Sequence, residues 1–142
     1  MITDAQNRPS FGQSLVGSGT IVSTDSIDLL TANRNVGRSF AMRVVAVLPT
    51  ALVGVGTSVQ AQLITSASSN LSTPTVLASG QVIPVASATL GAKILDVPIP
   101  GTSQRYLGLQ YVLVGTTTGG TVTAVVVSES DNQPYITENL GL

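Results

Sequence analysis

The sequence predicts an all-β fold: an antiparallel β-sandwich of about eight strands, with a jelly roll as the arrangement that suits the strand count and an immunoglobulin-like sandwich as the other candidate. Three observations carry that prediction. Short runs of β-branched and aliphatic residues alternate with Ser, Thr and Gln; the connections between them are built from Gly, Pro, Ser and Thr; and no segment has the 3.6-residue period of a helix. A chain of 142 residues is long enough for one domain with its own core and too short to make two domains the expectation. The division read from the sequence is an N-terminal arm over residues 1–19 and a single β domain over residues 20–142.

The elements follow in order. MITDAQNRPSFGQSLVGSG is polar and Gly/Ser-rich and carries a lone Phe11, which gives the arm something to bury against a neighbour. TIVSTDSIDLL alternates Ile and Leu with Ser, Thr and Asp, which fits two short strands, and TANRNVGR has the Asn and Gly that tolerate positive φ in turns. FAMRVVAVL places Phe40, Met42, Val44, Ala46 and Leu48 on one face and Arg43, Val45 and Val47 on the other. Both faces become apolar toward its end, which implies cover on two sides, and Pro49 is expected to end the ladder. SVQAQLITS sends Val59, Ala61 and Leu63 one way and Gln60 and Gln62 the other, and ASSNLSTPT is loop chemistry. TVLASGQVIPVASATLGA fits neither period, being interrupted by Gly80 and Pro84, and reads as short extended pieces; AKILDVPIP resumes alternation until Pro98 and Pro100. RYLGLQYVLV and TVTAVVV are two further strands, read as joined by a GTTTGG loop. Leu107, Leu109 and Tyr111 share one face of the first, with Gly108 on the other where another layer approaches; Val122, Ala124 and Val126 point inward from the second.

Composition narrows the function. Charged residues are 9% of the chain, against about 25% in ordinary soluble domains, so Ser, Thr, Asn and Gln must do most of the solvation. The six basic residues are scattered and the net charge is −1, which gives no stripe to neutralise a row of phosphates and little to hold an anionic membrane surface. No Asp, Glu, Lys or Arg occurs over residues 44–92, yet the apolar run there is short, contains Pro49 and gives way to TSVQAQ, unlike a membrane-spanning helix. The start of the chain shows no apolar run behind a basic leader, and the lack of cysteine is compatible with a reducing compartment.

With no His and no Cys, the common catalytic triads and transition-metal sites are excluded together. Asp25 and Asp28 read as turn and cap residues. Glu129 and Asp131 share a side at the exit of the last strand, but without an aromatic sugar platform or an apolar pocket they do not make a glycosidase pair. The ESDNQ cluster around them could offer oxygens to calcium but lacks the EF-hand spacing, and solvated polar residues are the default there. GSGT and GTTTGG lack the Lys-Ser/Thr ending of a phosphate loop. The reading is therefore no enzyme, no cofactor and no metal. A largely uncharged β surface is poorly protected against edge pairing and patch contact, which favours assembly with other protein. The residues singled out for such contacts are Asp4, Asn7, Arg8 and Phe11 in the arm, and Arg105 with Tyr106.

The pieces MITDAQNRPSF, STDSIDL, TVLASGQVIPVASATLGA, VPIPGTSQRYLGLQYVLVG and GGTVTAVVV, in that order and over nearly the whole chain, resemble the capsid cement (decoration) proteins of tailed bacteriophages. The resemblance implies a jelly-roll fold and a structural virion component made in the host bacterial cytoplasm. It further implies a place on the outer capsid surface, where oligomers, dimers or trimers, bridge neighbouring copies of the major capsid protein, with no direct nucleic-acid or membrane partner. The alternative from another class is a carbohydrate- or receptor-binding β module, which the lack of Trp disfavours.

Overall fold

A computed structural model describes residues 8–32, 42–55, 58–101 and 104–128. Among them are β1 (Ser10–Ser14), β2 (Gly17–Val22), β3 (Ile27–Asp28), β4 (Met42–Gly54), β5 (Ser58–Ser66), β6 (Thr75–Ser79), β7 (Ile83–Pro84), β8 (Lys93–Pro98) and β9 (Tyr106–Ser128), with a 3₁₀ turn over Val85–Ser87. All pairings are antiparallel, and the described strands form one nine-stranded sheet that is nearly closed into a barrel. Residues 10–14 and 17–19, assigned to the arm from sequence, are β1 and the start of β2.

The organising element is β9. GTTTGG was expected to be a loop between two strands; it lies inside one 23-residue strand. On one edge of β9 run β5, from Ser58 opposite Val114 to Ser66 opposite Tyr106, and β4, from Gly54 opposite Thr117 to Met42 opposite Ser128. On the other edge run β1, β2 and β3, from Ser10 opposite Ala124 through Gly17 opposite Thr117 to Asp28 opposite Tyr106. Three ribbons thus lie side by side, and all three change register near residues 17, 54 and 117. There the sheet turns a corner and its two halves fold onto each other. Gly54 is needed at that corner: its φ is +135°, and a Cβ would lie 2.7 Å from the Thr116 carbonyl oxygen.

Pro49 does not end its ladder. β4 continues through it to Gly54 because the register shifts between Val47 and Thr50, so that the missing N–H falls at an irregularity and costs no ladder bond.

The core forms between the two halves. Val44, Ala46 and Leu48 of β4 and Val122, Ala124 and Val126 of β9 meet Val59, Ala61 and Leu63 of β5 and Leu107, Leu109, Tyr111 and Leu113 of β9 in one buried cluster. Each such aliphatic side chain stabilises the fold by about 1.5–3 kcal/mol relative to exposure. On the opposite face of the β4/β9 half, Val45, Val125 and Val127 are buried in a smaller cluster with Val47 against it, as the two apolar faces of FAMRVVAVL imply. The halves are also clasped at the ends remote from the corner. Asp25 N–H donates to the Pro9 carbonyl, Gln13 Nε2 to the Val22 carbonyl, and the Ser10 and Tyr111 hydroxyls lie 2.8 Å apart.

Candidate protein-interaction surface

Arg8 and Phe11 flank the first residue of β1. Pro9 and Ser10 are buried, so the chain is pinned between them, while Phe11 stands 69% exposed. The Arg8 guanidinium lies over the Phe11 ring at 4.1 Å, within cation–π range, and its Nε is buried with no hydrogen-bond partner. β1 holds this pair in place through Gly12 N–H donating to Thr123 Oγ1 and through the Ser10 clasp. Asp4 and Asn7 lie outside the described residues.

Arg105 and Tyr106 sit at the opening of β9, Arg105 over the Tyr106 ring at 5.2 Å. Sequence reading missed the third member of this group. Arg105 Nε and Nη2 each donate at 2.7 Å to one of the two oxygens of Asp28 on β3, a fork that spans 77 residues of chain and that no local motif announces. The Arg105 hydrogen bond, followed by the Leu30 N–H, holds the Asp28 carboxyl down at about 2, and the same pairing raises the guanidinium pKa. Asp28 also accepts the N–H of Leu30, two residues on, in the manner of a turn cap. Arg105 is therefore a fixed, oriented cation with its aromatic neighbour beside it. Asp25, read with Asp28 as a turn residue, is exposed in the β2–β3 connection.

The described residues bring no acid/base pair together. At the barrel seam a cleft of about 310 Å³ lies between β6–β7 and β8, lined by Gly80, Ile83, Lys93 and Asp96 among others. The Asp96 carboxylate there is held by Arg43 at 2.6 Å and Lys93 at 3.1 Å, which makes it a counter-ion in a three-residue charge network. Among the described residues no group of three or more acidic side chains is placed to hold a metal ion, and no helix is long and apolar enough to cross a membrane. Glu129, Asp131 and the ESDNQ cluster lie outside the described residues.

Fold and surface together define an all-β protein with one cation–aromatic pair at the start of β1 and another at the start of β9. A family model matches residues 10–126, from the first residue of β1 nearly to the end of β9, and the chain belongs to that family, Bbp16, a Bordetella phage protein family. No curated protein matches the chain.

Proposed function

We propose that this is a structural virion protein that binds the outer capsid surface and stabilises the shell by bridging neighbouring major capsid subunits. In this reading it acts without catalysis or cofactor, as a homo-oligomer. The observation that carries the reading is the phage family match over residues 10–126, which runs from the start of β1 nearly to the end of β9. The jelly-roll kinship and the cement role implied by the resemblance belong to the same proposal.

The physical case is one of avidity. A single contact near the lower bound for a biological interface, about 1,000 Å², is enough when many copies tie a lattice. Internal DNA pressure drives capsomers apart, and a clamp seated across their seam must first break contacts with one of them. Arg8 and Phe11 suit the capsid side. The exposed ring is a low-entropy anchor, and the Arg8 guanidinium stacked over it sets a cation beside the apolar contact. Arg105, preset by Asp28, offers the second contact with Tyr106.

The test is to mix purified protein with undecorated shells, image what binds, and heat the resulting particles. Decorated particles are expected to retain DNA to a higher temperature than bare ones, and Phe11→Ala is expected to weaken decoration at least tenfold, the loss of about 1.4 kcal/mol. Equal heat stability of bare and decorated particles, or no binding to shells, would overturn the reading.

A further inference from the structure

The outward face of the β4/β9 half is buried, and the apolar cluster that fills it draws on β4 and β9 alone. Cross-strand register places Val45 opposite both Val125 and Asp96, Arg43 opposite Val127, and Val47 opposite Lys93, so all of these share the face. Val45, Val125 and Val127 are only 3%, 4% and 3% exposed. Among the described residues, the buried and half-buried apolar side chains packed there are these three and Val47, and none belongs to an element lying over them.

The outward face of the other half shows what uncovered positions look like. Val114, opposite Ser58, is 54% exposed, and Val22, opposite Gln110, is 36% exposed. Strand neighbours shield the flanks of a valine and leave its outer methyl groups to water, so burial as deep as that of Val45 and Val125 requires a second layer.

We infer that the C-terminal segment of the same chain, residues 129–142, turns back at the end of β9 and docks on this face as its cover. Its point of departure selects it first: β9 ends at Ser128, opposite Met42 and one residue beyond Val127, so the segment begins at the rim of the face. Its reach is ample. Extended, residues 129–142 span about 46 Å, whereas the row from Thr123 to Val127 measures about 17 Å. Asn132, Gln133 and Pro134 supply turn chemistry, and Tyr135, Ile136, Leu140 and Leu142 supply apolar side chains to lay on the valines. Charge selects the segment as well. Arg43 and Lys93 both reach Asp96, which gives the face two cations to one carboxylate among the described residues, and the segment carries Glu129, Asp131 and Glu138 with no Lys or Arg. Residues 33–41, which lead into β4 at the same rim, carry Arg34 and Arg38 with no carboxylate and would set like charge against like. The inference stands apart from the capsid reading, because it concerns only how the chain covers its own sheet.

The chain has no cysteine, so Thr137→Cys in the full-length protein takes a single nitroxide label at a polar position of the segment. The amide signals of residues 43–47 and 123–127 are expected to lose more than half their height to the label, while those of residues 68–73, on the outer side of the other half, keep theirs. Unaltered signals from residues 43–47 and 123–127 would overturn the inference. So would broadening that arises only between molecules, when nitroxide-bearing chains are mixed with isotope-labelled parent, since a second copy would then be the cover. Proteolysis gives an independent reading. Chymotrypsin is expected to cut after Tyr135 at least about tenfold faster when Leu140→Asp and Leu142→Asp are combined than in the parent, because cleavage follows the population of released segment. Both substitutions lie outside the barrel, and equal cleavage rates would count against docking.

Discussion

Tyr111 carries a hydroxyl into the core, and its partner comes from the other half of the folded sheet. The ring is fully buried and its hydroxyl lies 2.8 Å from Ser10 Oγ, which itself donates to Gln13 Oε1. Ser10→Ala leaves the tyrosine hydroxyl buried without a partner and is expected to cost about 1–3 kcal/mol in urea unfolding. Tyr111→Phe leaves Ser10 still bonded to Gln13 and is expected to cost less, and the double variant less than the sum of the two singles. Titration adds a second readout. Burial pushes the Tyr111 hydroxyl well above the ordinary tyrosine value near 10, against the smaller opposing effect of the Ser10 hydrogen bond. The unfolded chain therefore loses this proton at a pH where the folded chain keeps it. The Tyr111 contribution is whole below about pH 10 and is lost as pH rises beyond it. Tyr111→Phe is expected to flatten that alkaline decline, and an unchanged slope in the variant would contradict the assignment.

At the scale of elements, Leu71 and Gly108 are a lock between a loop and a strand. Leu71, with φ +58°, is buried on the outer face of β9, and a Cβ at Gly108 would run into its side chain. Leu71→Ala is expected to cost about 2–5 kcal/mol as a cavity, Gly108→Ala to destabilise by overpacking, and the double variant to recover part of the loss, because the added methyl enters the space vacated. Additive losses would mean that the two do not share that space. Half of this lock was legible: alternation in RYLGLQYVLV puts Gly108 opposite the core row and marks a close approach, but nothing in ASSNLSTPT says that its leucine is what approaches. The same division holds elsewhere. SVQAQLITS reads as the strand it is, because its period of two holds from Val59 to Leu63 before Ile64 breaks it, and of the rows read from that period Val44, Ala46 and Leu48 of β4, Val59, Ala61 and Leu63 of β5, and Leu107, Leu109, Tyr111, Val122, Ala124 and Val126 of β9 are in the core, while Phe40 lies outside the described residues. Where the pattern is broken by Pro49 or GTTTGG, local chemistry argues for an end and long-range pairing overrules it, since a bulge absorbs the proline and the two flanking ribbons hold β9 together across its glycines. Arg8, Phe11, Arg105 and Tyr106 were visible as residue types, whereas the Asp28 fork depends on which distant strands meet.

For the whole molecule, the consequence of a strand shared by both halves is cooperativity. β9 supplies core residues to each half, and the ribbons on its two edges cross the corner with it, so neither half retains a complete core without the other. The Ser10–Tyr111 clasp and the Gly12–Thr123 bond between β1 and β9 join residues 101 and 111 positions apart in sequence, which places the folding reaction among those dominated by non-local closure, on a timescale of about milliseconds to seconds. In the proposed cement role this construction would set the entire core against an applied force, because no separable layer can peel away. The expected outcome is a single two-state transition. The near-ultraviolet dichroism of the buried Tyr111, which belongs to the β5 half, and the far-ultraviolet signal of the whole sheet should share one midpoint in urea and one on heating. A tyrosine signal lost well before the backbone signal would show that the β5 half opens alone, and that the corner is a hinge between independent sheets instead of a fold in one.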